Sequence, residues 1–95
     1  MSIRVADHDL MIDRDGVQVD GVAVHLSGAP LAVLEVLAER PGHVVSRLEM
    51  MRRLPSGLAT SEHAVEVAVA RLRRGLGRPL VQTVVKRGYR LATVT

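Results

Sequence analysis

The sequence has no cysteine, no tryptophan and no phenylalanine, and Tyr89 is its one aromatic residue. Without cysteine there is no disulfide scaffold, no thiol nucleophile and no zinc site built on sulfur. One aromatic ring offers no platform on which unpaired bases could stack, which argues against a binder of single-stranded nucleic acid. No apolar run approaches the ~20 residues that a membrane span needs. The N-terminus, MSIRVADHDL, lacks the apolar stretch of a secretory signal, so a cytoplasmic protein with no membrane partner is expected. The last shortage is of negative charge. No acid follows Glu66, yet Arg71, Arg73, Arg74, Arg78, Lys86, Arg87 and Arg90 do.

What remains is 95 residues, 47% of them hydrophobic, with a net charge of +3. That length makes one small domain, residues 1–95, with an aliphatic core. The net charge hides an asymmetry. Residues 1–45 sum to −4 and residues 46–95 to +7. A basic half on a small domain points to a polyanion, nucleic acid before an anionic surface.

Periodicity divides the chain into strands, three helices and a hairpin. Residues 8–26 alternate in short apolar runs, with turns at Arg14-Asp15-Gly16 and Asp20-Gly21, which predicts an antiparallel meander; residues 3–6 add an edge strand. Leu31, Leu34, Val36, Leu37 and Ala38 predict a helix that Pro41-Gly42 stops. Ser46 with Glu49 three residues on is a capping-box pattern for a second helix, about Arg47 to Leu54. Thr60 or Ser61 caps a third, ending near Leu76 before Gly77 and Pro79. On that helix Val65, Val69, Leu72 and Leu76 share one face; His63, Val67, Ala70, Arg74 and Arg78 lie opposite, with Arg71 on the shoulder. Leu80–Val85 and Tyr89–Val94 read as two strands joined at Lys86-Arg87-Gly88.

Catalytic signatures are weak. Asp7-His8-Asp9 sits on extended chain, where three adjacent side chains do not face one ion, and reads as an exposed polar segment. His25 and His43 are isolated surface or edge residues. Gly75-Leu76-Gly77 is a helix C-cap, not a dinucleotide fingerprint, because no strand precedes it. There is no P-loop, nucleophile elbow or paired carboxylate, so neither enzyme activity nor a cofactor or metal is expected.

The order of elements is that of a winged helix-turn-helix, an α+β fold. In that layout the third helix enters the major groove of duplex DNA and the hairpin sets Lys86 and Arg87 near phosphates or a minor groove. Two other readings stay open: a solvated basic helix beside an ordinary hairpin, and a protein-interaction module whose third helix docks an acidic partner through Val67 and Ala70.

Three ordered motifs carry a resemblance. PGHVVSRL (41–48), AVEVAVARLRRGL (64–76) and VQTVVKRGYRLA (81–92) resemble segments of the OmpR/PhoB-type winged-helix effector domain. The resemblance implies an N-terminal four-stranded sheet, three helices and a C-terminal wing. It implies sequence-specific binding of double-stranded DNA for bacterial transcription regulation. By position it implies that Arg71 contacts a base, that Arg73 and Arg74 serve phosphates or surface salt bridges, and that Val67 and Ala70 meet bases. His63 would donate to a phosphate, Arg87 lies at the wing tip, and Glu66 supports the helix through a salt bridge. Ala68 stands where the family often has a phosphate-donating histidine. Val85-Lys86-Arg87-Gly88 replaces the family's Arg-Gly-x-Gly wing. The short loop from Pro55 stands where the family can touch RNA polymerase, which leaves the polymerase a candidate partner only. The wording RLRRGLG and VVKRGYRLA further resembles the DNA-binding tail of actinobacterial regulators related to uroporphyrinogen-III synthase, which implies an upstream synthase-like domain in a longer parent chain.

Overall fold

The computed structural model describes residues 1–93. Val17 and Val19 point inward and Gln18 outward, and this two-residue period sets the first sheet. Its strands are β1 (Ser2–Val5), β2 (His8–Asp13), β3 (Gly16–Val19) and β4 (Val22–Val24), antiparallel and in that spatial order. Asp20 and Gly21 both have positive φ, 52° and 80°, as a two-residue hairpin between right-twisted strands requires. The Asp20 carboxylate accepts the Asp9 amide at 2.8 Å and the His8 ring Nδ1 at 2.6 Å. His8 is thus held by a side chain across the sheet rather than left in a loose polar segment. The Asp9 amide bond, followed by His8, holds the Asp20 carboxyl below its ordinary pKa. A depressed carboxyl stabilises the fold above its unfolded pKa and loses that contribution as pH falls through the folded one. Acid titration of thermal stability should therefore show a step below the ordinary carboxylate range that Asp20→Asn removes. An unchanged profile in the variant would refute the assignment.

Three helices follow the sheet: α1 (Gly28–Glu39), α2 (Arg47–Arg53) and α3 (Glu62–Leu76). Helix α1 is the central one. Val33, Leu34 and Leu37 are wholly enclosed, and Ala32, Val36 and Ala38 nearly so. The predicted capping at Ser46 is present, with its hydroxyl accepting the Glu49 amide at 3.0 Å. Ser61, rather than Thr60, caps α3 by accepting the Ala64 amide at 3.0 Å. Gly77 ends α3 in the left-handed conformation and returns its N–H to the Arg73 carbonyl. Gly75 packs against Leu26, whose side-chain end would have to shift to admit a β-carbon there.

The second sheet is the hairpin of β5 (Val81–Val84) and β6 (Gly88–Leu91), both shorter than expected. Ala92 leaves the ladder to bond Leu80 and Ala6, and Val94 lies outside the described residues. Val45 pairs with Tyr89, through bonds of 2.8 and 2.9 Å, and so fastens the hairpin to the segment before α2. The core runs from Val5 and Leu10 through α1 to Val65, Val69 and Leu72 of α3, and on to Leu80, Tyr89 and Leu91. Packing α3 by this face leaves the other one free, which positions the site.

Candidate nucleic-acid interface

The sites 63, 67, 70, 71 and 74 fall within one stripe of a 3.6-residue helix. His63, Val67, Ala70, Arg71 and Arg74 are all exposed there, while the other face of α3 is buried. Ala68, at the position of an absent histidine, is only 3% exposed and belongs to the core side of the helix. Arg78 does not lie on the helix as expected. It follows the Gly77 cap, is exposed, and donates to the Gly77 carbonyl at 3.2 Å.

The hairpin tip turns at residues 84–87, closed by the Arg87 amide on the Val84 carbonyl at 2.9 Å. Lys86 takes φ of 64°, a conformation that costs a non-glycine residue about 1 kcal/mol. The turn projects Lys86 and Arg87 into solvent. It also projects Val85, which is 77% exposed. The strand expected to run to Val85 ends at Val84, so Val85 joins Lys86 and Arg87 in the turn.

Charge is distributed unevenly over the surface. Arg47 reaches from α2 to Glu66 at 2.5 Å and to Glu62 at 3.9 Å. Glu66 therefore has the expected salt-bridge role, and it ties α2 to α3. Arg53 pairs with Glu39 and Glu49, and Arg4 with Asp9 at 2.8 Å. Arg71, Arg74, Lys86 and Arg87 form no ion pair among the described residues. A cleft of about 240 Å³ lies between the start of α2 and the hairpin, lined by Ser46, Arg47, Glu62, Thr83, Lys86 and Arg87.

Arg73 departs from its expected place. Its guanidinium donates to the Val81 carbonyl at 3.2 and 3.4 Å and to the Thr83 hydroxyl at 2.6 Å. It also lies 5.9 Å from the centre of the Tyr89 ring. Burial first, and the Glu66 carboxylate second, raise the Tyr89 hydroxyl above its ordinary pKa. Among the described residues no cluster of three His, Asp or Glu side chains could hold a metal ion. No helix there is long and apolar enough to cross a membrane.

Comparison with known proteins places this arrangement. The chain is 30% identical over 93 residues to the cell cycle transcriptional regulator CtrA of Caulobacter vibrioides, covering 92% of this chain and 40% of CtrA. It is 39% identical over 74 residues to the response regulator PmrA of Pseudomonas aeruginosa, covering 77% of this chain and 34% of PmrA. It thus spans well under half the length of these relatives. Its fold superposes on the DNA-binding domain of Klebsiella pneumoniae RstA, solved in complex with the RstA box, with a TM-score of 0.76, 27% identity and 96% of both chains covered. Residues 21–91 match the profile of the family described as transcriptional regulatory protein, C terminal, and the chain belongs to that family.

Proposed function

We propose that this domain binds double-stranded DNA at specific sequences and so regulates transcription in a bacterium. The observation that carries the reading is the outer stripe of α3: Val67 and Ala70 bordered by Arg71 and Arg74, which no carboxylate neutralises. In a major groove that stripe meets base edges. Arg71 is the residue for a guanine edge, and Val67 and Ala70 suit thymine methyl groups. His63 and Arg74, toward the ends of the stripe, and Arg78, just beyond the Gly77 cap, serve phosphates. Lys86 and Arg87 take the backbone or minor groove beside the helix. The proposed role needs no catalysis and no cofactor, and it is carried out in the cytoplasm.

Selecting bound duplexes from a random pool tests this. The selected sequence should bind far more tightly than its scrambled counterpart at physiological salt. Its log affinity should fall with log salt by about 0.9 per phosphate neutralised. Lys86→Ala should weaken selected and scrambled duplexes by the same factor, because a phosphate contact carries no sequence information. Equal affinity for both duplexes would overturn the specific-regulator reading. No binding at low salt would favour an acidic protein partner for α3 instead.

We place the domain at the C-terminal end of a longer regulator, in keeping with the fraction of CtrA and PmrA that it spans. A uroporphyrinogen-III synthase-like domain upstream rests on the wording of residues 71–77 and 81–92 alone; PmrA is a response regulator. The full-length gene decides. The loop 55–60, which exposes Leu58, is the segment to test for contact with RNA polymerase.

A further inference from the structure

We propose that Arg73 is a positioning residue, one that acts on DNA only by fixing the wing against α3. The inference rests on the DNA-binding reading above. Every other cation of α3 projects outward, whereas Arg73 is turned along the helix toward the hairpin. Its guanidinium spans both wing strands. On β5 it bonds the Val81 carbonyl and the Thr83 hydroxyl, and on β6 it faces the Tyr89 ring. A planar fork with donors on several edges is suited to this; a lysine ammonium is a single point of attachment.

The rest of the wing is tied to other parts of the molecule. Val45 holds its β6 edge, and the Ala6 amide, through the Ala92 carbonyl, holds its base. Arg73 is the side-chain link that the hydrogen bonds provide from α3 to β5 among the described residues. Two basic elements can engage one duplex together only at a fixed separation, and an error of about 1 Å at either end loosens both. Arg73 therefore contributes to affinity through Lys86 and Arg87, not through a phosphate of its own.

The test is a cycle of variants read by affinity for the selected duplex. Arg73→Met should weaken binding about tenfold in the otherwise unchanged protein. In a Lys86→Ala, Arg87→Ala background the same substitution should change affinity less than twofold, since there is no wing contact left to misplace. Arg73→Lys should behave as Arg73→Met, because the charge is kept and the fork is lost. An equal loss in both backgrounds, or full rescue by lysine, would mean a direct phosphate contact and overturn the proposal. So would full affinity in Arg73→Met itself.

A measurement without DNA separates this from the function proposed above. Residual dipolar couplings of the amides of residues 81–84 and 88–91, referred to those of α3, should change in Arg73→Met while α3 stays helical. Unchanged couplings overturn the positioning role even if the protein binds DNA. If the unaltered protein binds no duplex, the DNA reading fails and the couplings alone decide whether Arg73 sets the wing.

Discussion

Gly88→Ala is expected to cost about 3–5 kcal/mol of folding stability, by adding overpacking against backbone to strain at a positive φ. Gly88 has φ of 144° and lies where β6 passes the chain entering α2. A β-carbon there would sit 2.7 Å from both the Val45 carbonyl carbon and the Ser46 Cα, and closer still to the Val45 carbonyl oxygen. These are backbone atoms, so no side chain can swing aside. Relief requires the hairpin to move away, which breaks the paired bonds between Val45 and Tyr89. A domain of this size has roughly 5–15 kcal/mol in all, so the loss is a large part of the total. Chemical denaturation followed by circular dichroism measures it. A loss under about 1 kcal/mol would mean that this crossing yields freely.

Arg71→Ala is expected to weaken binding of the selected duplex by about 1–3 kcal/mol and to relax preference at the base pair it reads. The stability of the fold should be unaffected. Arg71 is exposed and makes no side-chain hydrogen bond or ion pair among the described residues, so nothing in the fold depends on its charge. The expected signature is a change of base composition at one position in a repeated selection, with the denaturation midpoint unmoved. Arg71→Lys should recover part of the affinity and little of the preference, because an ammonium cannot make the paired contact to guanine. Uniform weakening of all duplexes by Arg71→Ala would move this residue from the bases to the backbone.

The fold was legible because its local signals agree. Alternation at Val17 and Val19, the Asp20-Gly21 turn, the caps at Ser46 and Ser61 and the Gly77 stop each act over a few residues, and each is present. The outer stripe of α3 followed from the same helical period. What escaped depends on contacts distant in sequence. Nothing local to Arg73 signals that Val81 and Thr83 will lie beside it, eight and ten residues on. Strand β5 stops at Val84, one residue before its expected end, because the tip turn closes from Val84 to Arg87 with Lys86 in the left-handed conformation.

The scarcity of aromatic residues has a practical side. With no tryptophan and one tyrosine, all of the intrinsic fluorescence comes from the Tyr89 ring. Tyr89 is buried, with its ring beside the guanidinium that joins α3 to the wing. The molecule thus carries one unlabelled optical reporter, at the joint between the two elements proposed to hold DNA. Duplex DNA emits negligibly but absorbs where tyrosine is excited, so the lifetime of the ring, which that absorption leaves unaltered, is the signal that follows the joint through a titration.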